Sequence, residues 1–407
     1  MLESICGDCL SVIPASLASD RRGALLIRTC ATHGEQELLL EVDQSFFELQ
    51  LRTQRLAPAG PLARTVSYPQ GDFRIEHPAA AVVLEITDDC NETCSTCIAG
   101  SFSGAGNYRT PRELRAELKT VFQGVPPLVF ISGGEPTIPP DLFEIVSDVY
   151  EMGAPHVVLI TNGRRLADEP EFAQELKYRF PDIEVFLQFD TFDPSLLLEL
   201  RGLDLSGVRR RAIANLASSE LSTTLVAIVQ RGSSLSSIGL TVNFAATMRN
   251  IRGVQFQPLR ATGRHAETGA PDRAPSIGEV VRSLSQQVDF IRSGDIVPHP
   301  VGPGTLAVGY WDRQRWHAAT DVVLIDGGAS RFLEPPSNAV SDYFRVSIVC
   351  YLDVYNWRSD QVAFSPVQVV TDNHELIPLD LHYLLGDPSG SSVPVVLRRP
   401  AYLGLPE

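Results

Sequence analysis

The 407-residue chain has no apolar run near the ~20 residues that a membrane span requires; the longest, around 79–84, is of strand length. The opening MLESICGDCL lacks a basic stretch followed by a long apolar one, so no signal peptide is read there. Positive charge is scarce: 34 Lys and Arg stand against 49 Asp and Glu, a formal net charge of −15. Such a balance repels nucleic-acid backbones and anionic membrane surfaces as main partners. The basic triplet Arg209-Arg210-Arg211 reads as a solvated helix face. The 18 Phe and 3 Trp are scattered and form no aromatic platform, and no low-complexity tract or long charge run suggests disorder. Cysteine is unevenly supplied: there are seven, an odd number, and six lie before residue 98. That distribution excludes a disulfide framework and points to metal ligation in a reducing compartment, by default the cytoplasm.

The centre of the chain alternates short Val-, Ile- and Leu-rich runs with helical patterns. Strands are expected at 80–86, 127–134, 156–163, 183–190, 223–229 and 252–259, with helices near 111–122, 140–152, 170–178 and 236–248 and helical turns up to 216. Near-continuous apolar strands at this spacing predict a parallel sheet covered by helices. Six such units predict an α/β fold, a partial (β/α)6 TIM-like barrel over 76–272. It would be flanked by a small N-terminal zinc-ribbon-like β module (1–75) and a C-terminal α+β extension (273–407). The extension would contain strands at VVLID, FRVSIVCYLDV and QVAFSPVQVV, with loops at 298–304 and Pro335-Pro336. Chemistry in such sheets gathers at the carboxyl ends of the strands, where the cysteine loop, Gly133-Gly134-Glu135, Asn162-Gly163, Asp190 and Gln257 all fall.

Cys90, Cys94 and Cys97 form C-x3-C-x2-C after the first of these strands. A structural zinc wants four ligands, and no fourth Cys or His lies near in sequence. A [4Fe–4S] cluster held by three thiolates instead leaves one iron open. With SGGEPT (132–137) after the second strand, the arrangement resembles the radical S-adenosylmethionine superfamily. The resemblance implies that Cys90, Cys94 and Cys97 ligate the cluster and that its open iron chelates S-adenosylmethionine. It further implies that Gly133, Gly134 and Glu135 receive the methionine amino group, the glycines allowing close backbone approach. Gln188 and Asp190 would lie near the ribose and substrate, Gln257 near the adenine edge, and Arg264 near a carboxylate or phosphate. For each of these, a helix cap or loop hydrogen bond is the plainer alternative. Cys350, in the apolar RVSIVCYL, reads as a buried structural cysteine.

At the N-terminus Cys6, Cys9, Cys30 and His33 form C-x2-C…C-x2-H with 20 residues between the pairs. This is a ribbon arrangement for one tetrahedral metal, zinc first and a rubredoxin-like iron second, with four protein ligands and hence a structural role. CGDC, CATHGEQE, LQFDTF, RGLDL, FQPLRATGR and later YLDVYNW together resemble one subgroup of that superfamily. It includes archaeal tetraether lipid synthases and dihydropterin-linked methyltransferases. The departure is at the C-terminus: many relatives carry auxiliary-cluster cysteines there, and RSDQVAFSPVQVVTDNHELIPLDLHY contains none.

The resemblance implies hydrogen abstraction from an unactivated carbon by a 5′-deoxyadenosyl radical, most simply for methylation or other C–C bond formation in a specialised pathway. It also implies an electron donor such as a flavodoxin or ferredoxin. A rearrangement or dehydrogenation without an auxiliary cluster is the second enzymatic reading, and a non-catalytic iron–sulfur and zinc sensor or scaffold the third. A cobalamin-dependent methylase would need an additional domain ahead of the barrel. The substrate stays open among small molecule, lipid, pterin and peptide.

Overall fold

The computed structural model describes residues 2–54, 64–76, 79–104, 106–122, 128–265, 271–299, 305–318 and 343–386; the strand expected at VVLID and the loop at Pro335-Pro336 lie outside them. Four antiparallel strands form the N-terminal sheet: β1 (Glu3–Ile5), β2 (Val12–Asp20), β3 (Gly23–Cys30) and β4 (Gly34–Glu41). A hairpin, β5 (Arg64–Tyr68) with β6 (Gly71–Ile75), follows it.

The six strands expected in the centre are present and run parallel: β7 (Ala81–Glu85), β8 (Leu128–Ser132), β9 (Val157–Thr161), β10 (Glu184–Gln188), β11 (Ser222–Val229) and β12 (Ile251–Pro258). Their alternate side chains serve two cores, as the pleat dictates. Val82, Leu84, Val129, Ile131, Leu159 and Val185 pack outward under the helices, whereas Val83, Phe130, Val158, Phe186 and Val226 face inward. The helix Pro111–Val121 begins where Thr110 and Glu113 form a capping box and proline takes the first turn.

The C-terminal region is woven into this sheet. After β13 (Val297–Pro298), β14 (Thr305–Trp311) and β15 (Trp316–Ala318), strand β16 (Phe344–Cys350) lies parallel beside β12. β17 (Val367–Val370) lies parallel beside β7 at the opposite edge, followed by antiparallel β18 (Leu376–Pro378). Two further parallel strands thus extend the six that periodicity reveals, and the helix Leu379–Leu385 packs Leu379 and Tyr383 into the inner core. The N-terminal module sits on the segment after β16: Arg28, buried, donates to the Val354 carbonyl at 2.6 Å, and Ser4 Oγ donates to the Trp357 carbonyl at 2.8 Å. None of the described helices is long and apolar enough to cross a membrane.

The amino end of the barrel is closed by charge. Glu184 accepts from Arg345 Nη2 at 3.1 Å and from Thr224 Oγ1, and lies 3.3 Å from His156 Nε2. Burial alone would raise its carboxyl, but Arg345 and His156 draw it down to about 2. A depressed carboxyl contributes stability above its unfolded value of about 4.3 and loses it as pH falls towards the folded value. The urea midpoint should therefore drop between about pH 5 and pH 2, with a shallower slope in Glu184→Gln.

Candidate functional site

The loop after β7 is braced from two sides. Gly134 N–H donates to Thr87 O at 2.7 Å and Glu135 N–H to Asp89 O at 2.8 Å. A Cβ on Gly133 (φ +124°) would stand 2.3 Å from Thr87 O, and one on Gly134 2.1 Å from Asp89 O, so only glycine permits this approach. These N–H groups are committed to the chain; a ligand ammonium, itself a donor, would be held at this loop by carbonyl oxygens. On the other side Gly263 (φ +55°) leaves no room for a Cβ beside Cys97 O, at 2.1 Å. Arg264 donates through its backbone to Cys97 O at 2.9 Å and through Nη1 to Cys94 O at 2.7 Å. Its guanidinium also reaches Ser101 O. Arg264, expected near a ligand carboxylate or phosphate, here clamps the cysteine loop.

Cys90, Cys94, Cys97, Gly133, Gly134, Glu135, Gln188 and Gln257 line one cavity of about 220 Å³ at the carboxyl ends of the strands. Burial pushes the Cys90 thiol up to about 12, with Glu135 and the other two thiols adding to the effect. Cys94 is also raised by burial, though Arg201 opposes it. Thiolates here need a cation beside them, the chemistry a metal cluster provides. Glu135, buried, accepts from Thr137 N (3.1 Å), Thr137 Oγ1 (2.6 Å), Thr161 Oγ1 (2.7 Å) and Asn162 N (2.7 Å), tying β8 to β9.

Asp190 is not among the lining residues. Held at φ +57°, it receives Ile228 N–H at 3.0 Å and grips Arg201 through Oδ2 at 2.6 Å and Oδ1 at 2.9 Å. Arg201 itself lines the cavity and donates to Gln188 Oε1 at 3.3 Å, and its charge opposes the rise of the Cys94 thiol. Sequence reasoning found the acid and missed its base, although RGLDL held it. It also missed Gln255, Tyr351 and Tyr383 on the same cavity. Tyr383 donates to Glu85 at 2.6 Å, and Gln257 Nε2 donates to the Tyr351 hydroxyl at 3.3 Å. The alternation QFQ in β12 was the available signal for Gln255.

The N-terminal group is of a different kind. The ligand atoms of Cys6, Cys9, Cys30 and His33 all lie within 4.8 Å of one another. Cys6 Sγ and Cys30 Sγ stand 3.3 and 3.5 Å from His33 Nδ1, and Cys9 Sγ stands 3.9 Å from Cys30 Sγ. A tetrahedral zinc with ordinary bonds would set such atoms about 3.5–3.8 Å apart. Hydrogen bonding with Ser11 draws the Cys9 thiol down to about 6, and backbone N–H groups of Thr32 and His33 lower Cys30. Cys6→Ala or His33→Ala should remove about one equivalent of zinc and lower the melting temperature while leaving any iron–sulfur absorbance intact; elemental analysis with a thermal scan checks this. Cys350 is buried on β16 and accepts from Arg260 Nη2 at 2.8 Å and Nε at 3.2 Å, outside the lining of the large cavity.

Residues 84–245 match the model of the Radical SAM superfamily, and residues 1–41 match that of the HMPTM N-terminal zinc ribbon domain. With the parallel sheet and the three-cysteine cavity, this marks residues 84–245 as a domain of the radical S-adenosylmethionine superfamily. Within it, the chain resembles the subgroup of 7,8-dihydro-6-hydroxymethylpterin dimethyltransferase from Methanocaldococcus jannaschii, to which it is 27% identical over 320 residues. That alignment covers 75% of this chain and 62% of the relative's length. Mycofactocin maturase MftC of Mycolicibacterium smegmatis is 27% identical over 242 residues, covering 55% of this chain and 57% of that one. Among solved structures, Streptococcus suis SuiB bound to its precursor peptide SuiA gives a TM-score of 0.43 at 15% identity, covering 70% of this chain and 68% of that one.

Proposed function

We propose that this radical S-adenosylmethionine enzyme abstracts hydrogen from an unactivated carbon and methylates it or otherwise forms a C–C bond there. The carrying observation is that three thiols without a fourth share one cavity with a glycine-glycine-glutamate turn. Cys90, Cys94 and Cys97 would hold a [4Fe–4S] cluster, which when bound supplies the electron that cleaves S-adenosylmethionine to methionine and a 5′-deoxyadenosyl radical. The turn at Gly133-Gly134 offers carbonyl oxygens to the methionine ammonium, and Glu135 fixes that turn. Gln188 and Gln257 offer neutral hydrogen-bonding groups to the nucleoside. Asp190 acts at one remove, by holding Arg201. The inward-facing Val83, Phe130, Ile160, Phe186 and Val226 exclude water from the reacting carbon. The electron would come from a small carrier of flavodoxin or ferredoxin type, and Cys6, Cys9, Cys30 and His33 would hold a structural zinc.

The relative's name makes 7,8-dihydro-6-hydroxymethylpterin the first substrate to try. Anaerobically reconstituted protein, given dithionite, S-adenosylmethionine and this pterin, should release 5′-deoxyadenosine faster than without it and yield a methylated pterin by mass. 5′-Deoxyadenosine released without any gain of carbon would favour rearrangement or dehydrogenation. The second reading draws support from the C-terminal wall: Val349, Tyr351, Val367, Leu379 and Tyr383 bring no thiol to the cavity. Absence of 5′-deoxyadenosine from fully loaded protein would leave the sensor or scaffold reading.

A further inference from the structure

A buried amide on the cavity wall is unspoken for. Gln255 is only 7% exposed, it lines the cavity, and its amide has no partner among the described residues. Buried amides are almost always hydrogen-bonded, and an orphan in a native fold calls for an explanation. An unsatisfied amide on the wall of a cavity marks a place where a ligand completes the bonding.

The surroundings define that ligand. Gln255 shares its level with Gln188 and Val226, and the next level towards the amino ends holds Phe186, which packs edge-on against Phe130 at 5.7 Å. The charged side chains on the cavity wall are committed elsewhere: Glu92 to Arg164, Glu135 to Thr137, Thr161 and Asn162, Arg201 to Asp190 and Arg260 to Cys350. Among the described residues of this wall, no uncommitted cation receives a phosphate or carboxylate. A primary amide offers one acceptor and one donor side by side, and its complement is an adjoining N–H and C=O.

We infer that Gln255 is the specificity-determining residue of the substrate subsite, recognising an uncharged, largely apolar molecule by an adjoining N–H/C=O edge such as that of a lactam or oxo-heterocycle. This rests on the reading that the substrate reacts in this cavity. A site built around a hydrogen bond rejects an analogue that cannot make it, because its own buried group is then left bare.

The test uses 2-pyridone, which carries that edge on a flat ring, and N-methyl-2-pyridone, in which the N–H is blocked. Binding to the reconstituted protein with S-adenosylmethionine present is followed by ligand-observed NMR titration. Wild type should bind the blocked ring roughly five- to tenfold more weakly than 2-pyridone. Gln255→Leu should lose the discrimination and gain affinity for the blocked ring. Equal binding of the two probes by wild type, no binding of 2-pyridone, or discrimination surviving in Gln255→Leu would each overturn the inference. Iron content and 5′-deoxyadenosine release of the wild-type samples report separately on the radical-enzyme reading.

Discussion

Replacing Cys94 with alanine should strip the protein of its brown iron–sulfur absorbance and reduce 5′-deoxyadenosine release to background. Cys94 is nearly buried, its thiol lies 3.5 Å from Glu92 Oε2, and its carbonyl is clamped by Arg264. No other sulfur can take its place. Cys6, Cys9 and Cys30 belong to the N-terminal group, and Cys350 is pinned behind Arg260. Two remaining thiolates would leave a cubane with two open irons, an arrangement prone to lose metal. Cys90→Ala and Cys97→Ala should behave alike, whereas Cys350→Ala should keep both absorbance and turnover. Anaerobic reconstitution, iron analysis and chromatography of the nucleoside products check this. Survival of the absorbance in Cys94→Ala would remove the cluster from this loop.

Asp190→Ala should destabilise the protein by about 3–5 kcal/mol, because it strands a buried guanidinium without its counter-charge. Burial opposes the charge on Asp190, yet Arg201 holds its carboxyl below the usual range, and both partners are buried. Asp190→Asn keeps a residue that tolerates positive φ and still accepts from Ile228 N–H, but it too leaves Arg201 uncompensated. Removing both charges in Asp190→Asn/Arg201→Met should recover part of the loss, as replacement of a whole buried pair often does. Urea midpoints of the two single variants and the double variant measure the coupling. If Asp190→Ala leaves the midpoint in place, the pair contributes little and the argument for a rigid cavity wall there falls.

The central strands were legible because each is a short apolar run closed by a helix, and their chemistry was legible because cysteine and glycine at fixed spacing have few other uses. Gly133 and Gly134 were read as permitting close approach; what they approach is the chain's own Thr87 and Asp89 carbonyls. The long-range partners stayed hidden. Nothing in FRVSIVC says that it lies beside β12, or in VQVV that it lies beside β7, since strand order is set by packing over hundreds of residues rather than by local pattern. Asp190 looked like a ligand-binding acid for the same reason: local sequence shows a carboxylate after a strand but not the arginine that neutralises it.

The position of β17 carries a consequence for how each molecule is made. β7 leads into the cysteine loop, yet its neighbour at that edge belongs to residues 367–370, and Tyr383 of the cavity wall is later still. At about 5–20 residues per second, a ribosome needs roughly 15–60 s to travel from Cys97 to Tyr383. Throughout that interval the nascent chain carries three thiols on an unfinished barrel, open to stray metal and oxygen. Correct loading thus falls after synthesis, once the last strand has docked, and expression conditions that withhold iron until translation is complete should yield a larger fraction of protein competent for reconstitution.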